Sequence, residues 1–194
     1  MIPPHDLDTR HGLPEEWLFL LKGCPREDWA AHRNLGPLTE FWLSRHDGFR
    51  AAGAALEALL RQFREGNIPA AQFGGLFAPR LQHFLTDLHH HHMIEDHQYF
   101  PVFMVAETRL APGFELLESD HELIHQRIDT VIGSANSFLG QLRTQDSDAI
   151  RRAADAYAAA SDSLIGGLMR HLVDEEDLIV PLMLDRGEHE LGVS

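Results

Sequence analysis

Residues 88–103 read LHHHHMIEDHQYFPVF, and this stretch decides both the expected fold and the expected chemistry. It places five histidines and two carboxylates within ten consecutive positions, 89–98. Because the run lies in the middle of the chain, it is not an expression tag. Two interpretations are open at this point: a solvated histidine-rich surface and a set of metal ligands.

The composition narrows the classes of protein that use such a run. The chain has 194 residues, 44% of them hydrophobic, which is enough for one domain with a buried core and a short extension. A formal net charge of −14 argues against nucleic acid or an anionic membrane as a partner, since both favour clustered Lys and Arg. The single cysteine, Cys24, excludes an internal disulfide and a thiolate cluster, so nitrogen and oxygen atoms would hold any metal.

The hydropathy pattern gives no sign of a membrane protein. No apolar run approaches the roughly 20 residues that a membrane span requires. The first ten residues, MIPPHDLDTR, lack the basic and apolar regions of a secretory signal. We therefore expect a soluble, cytoplasmic protein, and the sequence does not identify a protein partner.

Helical signals dominate the chain and predict an all-α fold. No stretch shows the alternating pattern of a strand. Long amphipathic helices with short connections favour an up-and-down four-helix bundle. The four predicted helices cover about 37–66, 79–106, 113–142 and 146–185. An upstream extension of the second stays open, because Gly74 and Gly75 leave its start undecided.

The first 36 residues differ from the rest, with proline and glycine around a short apolar run, EEWLFLLK at 15–22. We interpret this run as a short helix packed on the bundle, because its apolar side chains would otherwise be exposed. The expected organisation is an N-terminal extension at 1–36, the bundle at 37–187 and a C-terminal tail at 188–194.

Helical spacing on the second helix selects one pair of candidate ligands. Leu88, His91, Glu95, Gln98 and Val102 follow the spacing of the inward face, so His91 and Glu95 point to the core. The other histidines fall off this stripe, and we expect them to face solvent or to hydrogen-bond behind the ligands. They are His89, His90, His92 and His97.

The fourth helix repeats the pattern with His171 and Glu175. Both pairs have the form H-x-x-x-E, and a proline follows ten positions after each histidine, so HHMIEDHQYFPVF and HLVDEEDLIVPLM look like copies. Two alternatives stay open. Glu176 competes with Glu175, and His92 with Asp96 is a rival register on the second helix.

The remaining two helices offer histidines on their own apolar faces. His46 lies on the first, and His121 and His125 lie one turn apart on the third. Burying ionisable groups on the inward face of every helix is costly unless they are paired or bind metal. Five imidazoles and two carboxylates form a ligand set for two metal ions. The candidates are His46, His91, Glu95, His121, His125, His171 and Glu175.

The order of these candidates resembles the hemerythrin-like proteins with HHE cation-binding domains. That family has one histidine on the first helix, H-x-x-x-E on the second, a histidine on the third and H-x-x-x-E on the fourth. His125 matches a second third-helix histidine of oxygen-carrying hemerythrins. Those carriers usually take the last bridging carboxylate one position later, which keeps Glu176 open, while the internal repeat favours Glu175.

The resemblance implies two iron ions with a bridging oxo or hydroxo group, whereas imidazole and carboxylate alone suit Fe, Zn or Mn. If both glutamates and the oxo or hydroxo group bridge the metals, the metal near His121, His125 and His171 has six ligands and the metal near His46 and His91 has five. The open position would take dioxygen, peroxide or nitric oxide. We expect a protein that binds or senses dioxygen. The alternatives are a stress enzyme that handles peroxide or nitric oxide or donates iron for repair, and an interaction module stabilised by its metal.

Overall fold

The computed structural model describes residues 6–144 and 146–193. Within them the chain forms seven α-helices and no strand, which confirms the all-α prediction. The helices are α1 (Phe19–Gly23), α2 (Pro37–Arg64), α3 (Ala70–Ile94), α4 (Phe100–Ala106), α5 (Ala111–Gln141), α6 (Ser147–Arg186) and α7 (Glu188–Leu191). Single turns of 3-10 helix occupy Arg26–Ala31 and Thr108–Leu110, and a π-helical turn occupies Glu95–Tyr99.

The helix count exceeds the predicted four because short helices lie near both ends and the π-helical turn separates α4 from α3. The up-and-down arrangement of a four-helix bundle stays a prediction. In the described part of the chain, no helix has the length and apolar character needed to cross a membrane.

The chain divides into two compact units. The described parts of Met1–Asp47, His91–Glu122 and Gly167–Ser194 form the first unit, and Gly48–His90 with Leu123–Gly166 form the second. The long helices α2, α3, α5 and α6 contribute segments to both units.

An apolar core holds the first unit together and includes part of the N-terminal extension. Phe19 and Leu20 of α1 pack against this core. The fully buried members include Phe100, Phe103, Phe114, Leu117 and Leu182.

Aromatic rings form the core of the second unit. Phe73 and Phe77, one turn apart on α3, stack at 4.9 Å between ring centroids, and Phe138 of α5 lies 5.4 Å from Phe73. Tyr157 of α6 meets Phe77 edge-on at 4.9 Å. Burial of Phe73 and Phe77 explains why α3 begins at Ala70, about nine residues before the predicted start, and continues through two glycines.

The π-helical turn changes which residues of the first unit are buried. The Phe100 N–H donates to the carbonyl of Glu95, five residues earlier, so one extra residue enters the turn. Gln98, inside the turn, is exposed, whereas Phe100 and Phe103, beyond it, are buried. The predicted inward position of Gln98 was wrong, because the extra residue rotates the helix away from the regular 3.6-residue spacing.

The related stretch on α6 keeps regular geometry. Pro181 lies inside α6 without interrupting it, whereas Pro101 follows the π-helical turn as the second residue of α4. Proline has no N–H to donate, so each stretch loses one helical hydrogen bond, yet only the first has a π-helical turn. The two similar sequences therefore place their side chains differently.

Candidate metal centre

Polar side chains from five helical segments of the first unit meet in one buried cluster. Helix α2 supplies one histidine, α3 supplies two, α5 supplies one, and the π-helical turn and α6 supply the glutamates with one further histidine. Six of the seven residues are buried, and only the His91 side chain is partly exposed, at 11%. The members are His46, His91, His92, Glu95, His121, His171 and Glu175.

Within the described residues, the possible ligand atoms of this cluster form two groups. In each group these atoms all lie within 4.8 Å of one another. The first group is His46, His91, Glu95 and Glu175, and the second is His92, His121 and His171. In the first, the Nε2 atoms of His46 and His91 are 3.2 Å apart, and in the second those of His121 and His171 are 3.0 Å apart.

Glu95 presents one carboxylate oxygen to each group. Oε1 lies 2.8 Å from Nε2 of His91, and Oε2 lies 3.6 Å from Nε2 of His121. Among the described residues, neither oxygen accepts a hydrogen bond of good geometry. Burial and the nearby charge of Glu175 raise the pKa of Glu95 well above its ordinary value. A buried carboxylate with so few donors is costly, and a bound cation would offset that cost.

Glu175, on α6, also lies between the two groups. Its Oε1 lies 3.5 Å from Nε2 of His46, and its Oε2 lies 3.2 Å from Nε2 of His171. The indole N–H of Trp42 donates to Oε1 at 2.6 Å. Burial alone would raise the pKa of Glu175, but His46 and His171 hold it well below the ordinary value. Both glutamates thus have the placement of carboxylates shared between two cations.

The family model of the hemerythrin HHE cation binding domain matches residues 38–183, a range that contains the whole cluster. The chain belongs to this family. Searches of curated proteins and of solved structures find no match. The HHE match and the two groups of ligand atoms together indicate that this domain binds metal cations.

Three histidines of the cluster each place Nδ1, the ring nitrogen that does not face the cluster, against a carboxylate that belongs to neither group of ligand atoms. Such a partner keeps a proton on Nδ1 and leaves the Nε2 lone pair facing the cluster, as a metal ligand requires. The pairs are His46 with Glu176 at 3.0 Å, His121 with Asp96 at 2.6 Å and His171 with Asp120 at 3.3 Å.

Protonation differs between histidines of the cluster. Burial lowers the pKa of His91 to about 3, so this imidazole is neutral at pH 7. Burial also disfavours the charged form of His171, but Asp120 and Glu175 raise its pKa to about 9. Without a metal His171 is therefore protonated, and metal binding there would release a proton.

His92 lies inside the cluster although the sequence pattern placed it off the inward stripe. It is fully buried, and its ring stacks on His121 with centroids 4.0 Å apart and planes 8° apart. Consecutive residues of a helix point about 100° apart. With two groups at different angles around α3, His91 faces the first and His92 the second. Two adjacent histidines on one helix are therefore a sequence signal for ligands that face two different groups.

The other predicted residues have clear positions. His125 lies in the second unit, with its ring 4.8 Å from that of His89, and the described structure brings it to neither group. Its role as a ligand stays a prediction. Glu175 lies in the first group, whereas Glu176 lies behind His46. Asp96 contacts His121 and so does not pair with His92 as a second ligand.

Proposed function

We propose that this HHE domain holds two iron ions and binds dioxygen, or a related small ligand, beside His46 and His91. The observation that carries the proposal is that Glu95 and Glu175 each direct one oxygen to each histidine group. Shared carboxylates of this kind suit two cations held close together. The identity of the metal rests on the family resemblance and on a donor set of nitrogen and oxygen atoms.

In the proposed ligand set, His92 replaces His125, which the sequence pattern suggested as the third histidine of one metal ion. Three imidazoles would then serve one ion and two would serve the other, with both carboxylates shared. The proposed ligands are His46, His91, His92, Glu95, His121, His171 and Glu175. Bound iron would supply a redox-active centre that accepts a small ligand.

The group with two histidines has one protein ligand fewer, and we place the small ligand there. His91 is its partly exposed member, so this side is the closer to solvent. Trp42 contacts both imidazoles, with centroids 6.5 Å from His46 and 6.1 Å from His91, and Tyr99 and Phe103 pack against the indole. These aromatic rings exclude water and hold the Trp42 N–H on Glu175.

A stress enzyme that handles peroxide or nitric oxide is the second candidate. The observation that favours it is the half-buried Tyr99, whose ring lies 5.0 Å from that of Trp42. A phenol near the ligand pocket is a candidate proton donor. A domain that is merely stabilised by its metal is the third candidate.

One spectroscopic experiment separates the three. Protein purified without air is reduced, analysed for iron, exposed to air and then returned to argon while its absorption spectrum is recorded. A charge-transfer band that appears in air and disappears under argon supports dioxygen binding. Steady consumption of added peroxide supports the enzyme, and an unchanged spectrum in iron-loaded protein contradicts both.

A further inference from the structure

We propose that the N-terminal segment supplies one positioning arginine to each histidine group. Arg10 acts through Asp120 on His171, and Arg26 acts through Glu176 on His46. Both arginines lie outside residues 38–183, which the HHE family model matches. The inference rests on the proposed metal binding and adds a role for the segment that precedes the matched domain.

Arg10 is a buried cation held by two aspartates. Its side chain is 3% exposed, and those of Asp120 and Asp174 are 4% and 0% exposed. Nη1 of Arg10 donates to Oδ1 of Asp120 at 2.8 Å, and Nη2 bonds the second oxygen of the same carboxylate. Nε donates to Oδ2 of Asp174 at 2.7 Å. This two-pronged contact fixes the plane of the Asp120 carboxylate, which a single point charge would not do.

The fixed carboxylate of Asp120 in turn orients His171. Oδ2 of Asp120 lies 3.3 Å from Nδ1 of His171, whose Nε2 faces the second group. Removing Arg10 would take away the two-pronged contact that fixes the plane of Asp120, so the carboxylate could turn. A turned carboxylate would hold the imidazole less firmly. Nη2 of Arg170 lies 2.5 Å from Oδ1 of Asp174. This contact does not involve Asp120, so Arg170 does not replace Arg10 there.

Arg26 makes the equivalent connection at the first group. Its Nη1 donates to Oε2 of Glu176 at 2.8 Å, and Oε1 of the same carboxylate lies 3.0 Å from Nδ1 of His46. Nε donates to Asp177 at 2.8 Å, and the guanidinium lies 4.7 Å from the ring centroid of Trp29. Because the Arg26 side chain is 40% exposed, we expect a smaller effect than at Arg10.

Each arginine reaches a different group, so the two should be separable by mutation. The direct hydrogen-bonding partner of a metal-binding histidine typically contributes 10- to 100-fold in metal affinity. Each arginine acts one residue further away. We therefore expect about a 10-fold loss of affinity for Arg10→Gln, confined to the second group, and a smaller loss for Arg26→Gln, confined to the first.

Cobalt(II) titration of the metal-free, full-length protein tests this expectation. Two binding steps are resolved by absorption and competition with a chelator, and His92→Ala and His46→Ala assign each step to a group. Arg10→Gln should weaken the step that His92→Ala removes, and Arg26→Gln should weaken the other. Arg170→Gln is the matched control, because it removes a neighbouring charge without touching the Asp120 or Glu176 contact.

Nitrogen-15 NMR of the histidine rings gives a second readout that needs no metal. In metal-free protein, Arg10→Gln should change the resonance and hydrogen exchange of His171 Nδ1 and leave His46 unchanged, and Arg26→Gln should do the reverse. If wild-type protein takes up no cobalt, the proposed function fails, while these resonances still decide whether the arginines position the rings. Arg10→Lys retains the charge but loses the two-pronged contact, so it should fold and still weaken the second group.

Wild-type cobalt affinity together with unchanged ring resonances in Arg10→Lys and Arg26→Gln would overturn the inference. Equal losses in Arg10→Gln and Arg170→Gln would overturn it as well, since they would reveal a general effect of charge on the first unit.

Discussion

Four adjacent histidines at 89–92 lie in two different environments. His91 and His92 face the buried cluster, whereas His89 and His90 are exposed. All four have the same chemistry, so position on the helix decides which of them can serve as ligands. Burial of His92 between two other imidazoles would be unfavourable without a cation or a shared proton.

The contrast between His92 and His90 gives the first prediction. His92→Ala should lose about one of two bound metal ions, because it removes one of three imidazoles from the second group. His90→Ala should retain both, since it truncates an exposed ring. Metal analysis of the two purified variants checks this. Equal occupancy in both variants would remove His92 from the proposed ligand set.

Trp42 gives the second prediction, because its ring and its N–H have separable roles. Trp42→Ala opens the wall over His46 and His91, so azide should reach the oxidised iron faster and the reduced centre should autoxidise faster. Trp42→Phe retains a smaller aromatic ring at this position and removes the bond to Glu175. Stopped-flow mixing with azide should show fast binding in the alanine variant and nearly wild-type binding in the phenylalanine variant.

Trp42 as an ordinary core residue predicts a different result. Its replacement by alanine would then cost about 3–5 kcal/mol of stability and leave the kinetics of azide binding unchanged.

At the level of helices, regular spacing was a reliable guide along α6 and an incomplete one along α3. On α6 the two residues that the repeated pattern predicts as ligands, His171 and Glu175, are both buried. On α3 the same reasoning located His91 and Glu95 but failed beyond Glu95, where the π-helical turn adds a residue. The sequences do not show which of the two stretches has the π-helical turn, because both contain a proline at the same position.

Glu107 gives the third prediction and concerns the short connection between α4 and α5. Its carboxylate accepts from Arg109 Nε at 2.8 Å and from Arg186 Nη2 at 3.0 Å. The bonds to Arg109 and Arg186 lower the pKa of Glu107 to about 2. The folded state therefore binds this proton less tightly than the unfolded state, and the stabilisation present above the ordinary carboxyl pKa disappears as the pH falls towards 2.

We expect Glu107→Gln to lower the free energy of unfolding by about 1 kcal/mol or less at pH 7, because the partner side chains are partly exposed. The difference from wild type should shrink as the pH falls below the ordinary carboxyl pKa. Urea unfolding at pH 7 and pH 3 measures it, with Asp185→Asn as a control that also touches Arg186. A difference that grows in acid would contradict the assignment.

For the whole molecule, the cluster links metal binding to stability. Without cations, Glu95 is buried beside Glu175 with a pKa well above its ordinary value, and His171 retains its proton. Metal ions bind only the folded arrangement, so removing them should lower the melting temperature. Each site contributes about 2.7 kcal/mol when the free metal is 100 times its dissociation constant. Calorimetry with and without a chelator tests this fourth prediction, and identical melting temperatures would argue against one buried centre.

The sequence was sufficient for the helical class and for six of the seven proposed ligands, because these residues follow helical spacing or a repeated pair. It could not reveal the residues that orient the ligands. Asp96, Asp120 and Glu176 are ordinary acidic residues in sequence, and their contacts with imidazoles arise only when distant helices meet. The sequence also offered no reason to select Arg10 and Arg26, since no candidate ligand lies in the N-terminal segment that contains them.

Metal content of the wild-type protein tests the central claim most directly. The full-length chain is purified without air, and iron, zinc, manganese and protein are quantified together. The proposed ligand set of two shared carboxylates and five imidazoles predicts two metal ions per chain, with iron the main one. Protein that binds one ion or none after loading with ferrous iron would contradict the two-metal centre.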